Sequence, residues 1–335
     1  MAKARVRRDR IRRVELQHRK RINSDGSEVA TAAIGPHGEL LLLLVPSEER
    51  STVFGVDTQP GWASFPKAKT EAPYGAQIAI HDETHVRTIE ITDETRAFPR
   101  VALLNNDEIL LAGTRCRRFA DGTHELNGHV YGPDGRLRRE FLLGDGIEHI
   151  ATDVRGEIWV GYFDEGVFGN YGWGGMTTGD VREDPVGWPG LVRFEADGKM
   201  TWRYEPPDGI GTIDDCYALN VGADATWACY YSYFPLVRIN PDGSVRGWTT
   251  EASGVRAIAC DDERAALFGG YKGKRTQCTL ARLGAGELTH AESIELVLPQ
   301  GRPISEDDLG FVFGQGDTLH FFIDDEWMTM SLSDL

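Results

Sequence analysis

The chain has 335 residues, 41% of them apolar and 26% charged, which is enough apolar material for a large core and excludes global disorder. No apolar run approaches the ~20 residues that cross a bilayer as a helix, so no membrane partner is expected; the longest run, Leu40 to Val45, has the length of a strand. The first 21 residues hold 10 Lys/Arg and 2 Asp/Glu, net +8, so the net charge of −16 leaves −24 on the body, which excludes a nucleic-acid-binding body with a basic groove.

Residues 1–12 form a basic N-terminal arm that lacks the apolar stretch of a secretory signal. The partial alternation of Arg13-Val14-Glu15-Leu16-Gln17 predicts a strand near residues 13–22. From there one hairpin recurs, with a small apolar first strand and a bulkier second one. Its copies are ATAAIGPHGELLLLLV from Ala30, VALLNNDEILLAG from Val101, IATDVRGEIWVGY from Ile150, ALNVGADATWACY from Ala218, AIACDDERAALFGG from Ala257 and GFVFGQGDTLHFF from Gly310. Three copies are followed by an Asp-Gly turn between β-rich runs, at Asp134-Gly135, Asp197-Gly198 and Asp242-Gly243, the strongest short-range signal for a second hairpin. Two connections are unusually long: about residues 46–75, with Trp62, Phe65 and Tyr74, and 163–190, with Phe168, Tyr171, Trp173 and Trp188.

Each copy and its second hairpin make a four-stranded antiparallel unit, with strands A to D from the inside outward. Six such units predict an all-β fold, a six-bladed β-propeller. No Pro/Ser-rich linker divides the chain, so residues 13–335 are expected to form one domain. The last copy leaves room for strands A to C alone. The strand near 13–22 is therefore expected to supply the fourth and close the ring, which removes an exposed sheet edge. The pattern of a small A strand, then DVRGEIWVGY, then LVRFEADGKMTWRY resembles blades of the streptogramin-lyase-like, gluconolactonase-like and TolB-like propellers, mainly over residues 100–260. The resemblance implies the fold and carries over no active site.

In such a fold the connections from B to C and from D to the next A share one face, around a central funnel. Alignment of the copies on their A-to-B turns puts Thr31, Arg100, His149, Tyr217, Arg256 and Leu309 at one position where strand A begins, beside two nonpolar columns. This polar column is expected to ring the funnel mouth, with Glu148, Asp215 and Asp308 just before it and Asp308 a candidate substrate contact. Arginine forks suit a carboxylate or phosphate, so Arg100 and Arg256 are candidates to hold an anion. Among the side chains of the column, only His149 titrates near neutrality when unperturbed; with Glu148 or Asp215 beside it, it is the candidate general acid or base. Tyr217 is the candidate donor to a developing oxyanion, and the aromatic loops, through Trp62, Tyr171, Trp173 and Trp188, are candidates for substrate contact and a lid.

The acidic groups at the mouth have the oxygen chemistry of Ca²⁺ or Mg²⁺ sites, but Arg100 and Arg256 oppose a cation, so no cofactor is expected, with Ca²⁺ or Mg²⁺ as the alternative. The five cysteines show no metal-ligand spacing and are expected as buried, reduced thiols of a cytoplasmic protein. Two functions compete. One is an enzyme, a hydrolase or lyase, acting on a small polar anionic substrate in the funnel; the other is a noncatalytic ligand-binding or protein-interaction scaffold. A deep pocket lined by Arg100, His149 and Tyr217 favours the first, and a mouth plugged by mutual salt bridges favours the second.

Overall fold

The computed structural model describes residues 11–335 apart from 23, 25, 59, 62, 175, 178, 179, 182 and 183; most of the basic arm, residues 1–10, lies outside the described residues. Among the described residues the chain is all-β, with two short α-helices and a few 3₁₀ turns on its connections. Five four-stranded antiparallel units succeed one another in chain order, each with its strands hydrogen-bonded in the order A-B-C-D. Unit 1 is Glu28–Ile34, Leu40–Val45, Lys69–His81 and Val86–Arg96. Unit 2 is Pro99–Leu103, Ile109–Gly113, Gly128–Tyr131 and Leu137–Phe141, and unit 3 is Ile147–Thr152, Ile158–Tyr162, Leu191–Phe194 and Met200–Arg203. Unit 4 is Asp215–Val221, Thr226–Tyr231, Leu236–Ile239 and Val245–Trp248, and unit 5 is Val255–Cys260, Arg264–Gly269, Gln277–Leu283 and Leu288–Val297.

Unit 6 takes strands A to C from Phe311–Gln315, Thr318–Ile323 and Glu326–Ser331, and its outer edge pairs antiparallel with Gln17–Arg21. The strand expected near 13–22 is in fact two. Arg12–Glu15 runs parallel to strand D of unit 5, and Leu16 then turns the chain to unit 6. Leu16 is 2% exposed and packs with Ile294, Leu296 and Met328, so its burial anchors the crossing between the two units. A segment with only partial alternation is what a strand shared between two partners looks like in sequence.

The A strands lie side by side in the order of units 1 to 6, and that of unit 6 also lies against that of unit 1. The core fills the spaces between neighbouring units. The run Leu40 to Val45 shows why it carries no polar alternation: Leu40, Leu42 and Leu44 pack with Phe322 and Trp327 of unit 6, while Leu41, Leu43 and Val45 pack with Val101, Leu103 and Leu111 of unit 2. A strand covered on both faces must be apolar at every position. The Asp-Gly turns close the C-D hairpins as expected: Gly135, Gly198 and Gly243 all take positive φ values of 73°, 87° and 86°.

All five cysteines are buried and unpaired, and burial pushes the Cys116 and Cys229 thiols up. Among the described residues no helix is long and apolar enough to cross a membrane.

Candidate functional site

Four A strands carry a β-bulge near their mouth end. The pairing skips Ala30 in unit 1, Glu148 in unit 3, Tyr217 in unit 4 and Arg256 in unit 5. A bulge opposes two residues to one and re-aims a side chain, so it is the device that turns Glu148, Tyr217 and Arg256 toward the space inside the A strands. The sequence alignment was therefore one residue out in units 1 to 3: Glu148, not His149, is the structural counterpart of Tyr217 and Arg256, and Arg100 is the counterpart of His149. The cause is turn length. The A-to-B turns of units 1 to 3 have one residue more than those of units 4 and 5, which shifts a column aligned on the turns.

Thr31, Arg100, Glu148, His149, Asp215, Tyr217 and Arg256 nevertheless line one cavity, of about 860 Å³, to which every A strand contributes. This volume lies in the range of small-molecule sites. Arg100 donates from Nε to the Glu148 carbonyl at 3.0 Å, and its Nη2 lies 3.7 Å from the Glu148 carboxylate. Among the described residues this is the sole ion pair between cavity-lining groups; no carboxylate lies within ion-pair distance of Arg256. Burial, and then the nearby Arg275, lower the Arg256 pKa from its ordinary value.

Burial, reinforced by the carboxylates of Glu148 and Asp164, pushes Asp215 up to about 6. Burial likewise pushes Tyr217 up to about 12, helped by its hydrogen bond to Tyr271, so the phenol stays protonated at neutral pH. Its ring rests edge-on against Phe234, with centroids 4.9 Å apart. Burial lowers the His149 pKa, with Arg100 acting in the same direction against Glu148, and this favours the neutral imidazole. The expected His149-carboxylate hydrogen bond is not made. His149 Nε2 is out of solvent and without a partner among the described residues, because Glu148 turns to Arg100 instead.

At the inner end the A strands of units 4, 5 and 6 are tied together through one side chain. Asn220 of unit 4 donates to the Ile258 carbonyl at 2.7 Å and the Gly316 carbonyl at 2.9 Å, and accepts from Gly316 N at 2.8 Å. It also pairs across to Gly314, where a β-carbon would clash with the Ile258 carbonyl oxygen. Only glycine lets these three A strands meet at the inner end of the cavity.

Three predicted contact residues lie elsewhere, and Trp62 lies outside the described residues. Trp173 is 4% exposed and donates from Nε1 to the Cys116 carbonyl at 2.8 Å. Tyr171 donates to the Pro66 carbonyl, and its ring lies 4.0 Å from the Arg115 guanidinium carbon. These residues pack the long loops onto one another rather than offering a stacking surface. Asp308 accepts from Ser305 N, Ser305 Oγ and Arg302 at 2.8, 2.8 and 2.9 Å, which ties it into its own turn away from the cavity.

The structure adds groups that sequence reasoning missed. Lys272 and Arg275, on the B-to-C connection of unit 5, and Asp164, on that of unit 3, all line the cavity. Loop length hid the first two, since that connection is short; its composition, Gly270-Tyr271-Lys272-Gly273-Lys274-Arg275, was the available signal. Around the mouth the B-to-C connections also expose Phe65, Phe119, Phe168, Trp188, Tyr233 and Tyr271, with Tyr233 87% exposed. Among the described residues no group of three or more His, Cys, Asp or Glu side chains is placed to hold a metal ion.

Comparison with known proteins gives distant likenesses. A family model described as the YxzG family matches residues 192–271, from strand C of unit 3 to just past strand B of unit 5. No curated protein matches the chain in sequence. Among solved structures, a catalytically inactive virginiamycin B lyase from Staphylococcus aureus with quinupristin is similar at 13% identity and a TM-score of 0.42, covering 95% of this chain and 99% of that one. A gluconolactonase from Xanthomonas campestris is similar at 11% identity and a TM-score of 0.40, covering 93% and 100%. The β-propeller domain of the Trilobed protease from Pyrococcus furiosus is similar at 12% identity and a TM-score of 0.40, covering 88% and 78%. The successive four-stranded units with neighbouring A strands carry the architecture by themselves. The chain is a β-propeller.

Proposed function

We propose that the protein is a six-bladed propeller, its ring closed by the two N-terminal strands, that binds a small polar anion in the funnel and acts on it by hydrolysis or elimination. The observation that carries the reading is Arg256. A bulge aims it into a cavity of about 860 Å³ with no carboxylate in ion-pair reach among the described residues. A structural arginine would have been neutralised there, as Arg100 is in part by Glu148. Arg256 binds the anion, while Asp215, pushed up to about 6, is poised to give and take a proton near neutrality. Tyr217 donates its phenolic hydrogen to a developing oxyanion, and neutral His149 completes the wall.

The test is a screen of the purified protein against lactones, small carboxylate esters and phosphate monoesters, with product detected by mass spectrometry. For any substrate found, Arg256→Ala is expected to raise KM at least tenfold, and Asp215→Asn to lower kcat about a hundredfold. Unchanged constants in both variants would remove the assignment. A second reading has its own observation, the exposed aromatic groups on the B-to-C connections, which suit a protein partner docking over the mouth. In that case Trp188→Ala and Tyr233→Ala abolish capture of the partner, and no metabolite stabilises the fold.

A further inference from the structure

The funnel is polarised. On the unit 5 wall, Arg256 from strand A and Lys272 and Arg275 from the B-to-C connection bring three cations to one side. On the wall of units 3 and 4, Asp164 begins the short helix after strand B and Asp215 begins strand A, with Glu148 beside them. Arg100 accounts for Glu148 in part. For Arg256, Lys272, Arg275, Asp164 and Asp215 no cross-cavity ion pair forms among the described residues. Each wall therefore repels itself, and only Glu148 eases Arg256 from across the cavity: Arg275 acts against Arg256, and Glu148 and Asp164 act against the Asp215 carboxylate. Between them lie Tyr217 and Tyr271, the former within electrostatic reach of Asp164 and Asp215 and hydrogen-bonded to the latter.

A simple anion would satisfy one wall and be repelled by the other. From this geometry we infer that the ligand is a small zwitterion of the amino-carboxylate class, its carboxylate on Arg256, Lys272 and Arg275 and its ammonium on Asp164 and Asp215. The inference rests on the small-anion reading of the same cavity and narrows it. Electrostatic complementarity of this kind selects between ligands of equal size more than it raises affinity outright, so the informative measurement is a preference.

The probes are the ω-amino acids from glycine to 8-aminooctanoate, the unbranched carboxylates and amines of matching length, and inorganic phosphate, titrated calorimetrically at pH 7.5 and low salt. At one chain length the amino acid is expected to bind at least tenfold more tightly than both the carboxylate and the amine. Asp164→Asn is expected to erase the preference over the carboxylate, weakening the amino acid and strengthening the carboxylate. The double variant Lys272→Ala/Arg275→Ala, with an unchanged melting temperature as its folding control, is expected to weaken amino acid and carboxylate alike. If carboxylates or phosphate bind and the amino group adds nothing, the zwitterion proposal is overturned while the anion reading stands. If amines bind best, or if no probe binds, both are overturned.

Discussion

Two clusters of charge sit within a few residues of each other in unit 3 and its surroundings, and they behave in opposite ways. Asp164 faces the funnel, whereas Glu165, the next residue, lies 2.6 Å from Arg115, which also meets Asp145 at 2.9 Å. Arg115 and Asp145 are each 2% exposed; Tyr171 and Phe163 cover the guanidinium, and Asp145 also accepts from Cys116 N. Burial still pushes Asp145 up to about 7 against the pull of Arg115. In the buried cluster the opposite charges lie at ion-pair distance from one another. The funnel cluster has cations and carboxylates that are accessible, and most of them are unpaired. A charge-rich sequence is thus not itself a sign of a site; what separates the two regions is whether the partners are supplied by the fold.

The contrast can be broken by removing one arginine from each cluster. Arg115→Ala leaves Asp145 and Glu165 uncompensated and is expected to cost about 3–5 kcal/mol in denaturant unfolding, whereas Arg256→Ala should stay within about 0.5 kcal/mol of the parent. Equal losses would mean that the funnel arginine is structural too. The meeting point of the A strands gives a second comparison: Gly314→Ala forces those of units 4 to 6 apart and is expected to destabilise by ~2 kcal/mol, detected as a lower melting temperature.

Asp215 gives a smaller effect of opposite sign. Its pKa in the folded chain, about 6, lies above its ordinary value of 3.8, so the native state binds the proton more tightly than the unfolded chain and loses stability as pH rises from about 4 to 6. Asp215→Asn should therefore be more stable than the parent at pH 7, by about 1 kcal/mol, and should lose the slope between pH 4 and 6 that the parent shows. A destabilised Asp215→Asn chain would place this carboxylate with the paired cluster. Smallest of all, Tyr233→Ala on the exposed rim should change stability by less than about 0.5 kcal/mol; a larger loss would show that the rim packs as Trp173 does.

Much of the architecture was legible because its signals are local. Asp-Gly turns, the recurring small A strand and the fully apolar Leu40 to Val45 run each follow from the chemistry of a few consecutive residues. That Gln17–Arg21 would meet Glu326–Ser331 was readable as an arithmetic deficit of one strand, while the additional pairing of Arg12–Glu15 with unit 5 was not. Of the candidate site, Arg100, Glu148, His149, Asp215, Tyr217 and Arg256 were named from their place before strand A, and they do share a cavity.

What the amino-acid sequence determined by itself was the repeat, its strand order and the end of each strand at which polar groups collect, since hydrophobic period and turn chemistry act over a handful of residues. The tertiary structure alone decided which side chains enter the funnel and which are spent on packing. Bulges at Glu148, Tyr217 and Arg256, the Asn220 bridge between A strands, the capture of Trp173 by the Cys116 carbonyl and the arrival of Lys272 and Arg275 opposite Asp164 all depend on contacts between segments distant along the chain. Those contacts are set by how the units press together, and no run of neighbouring residues encodes them.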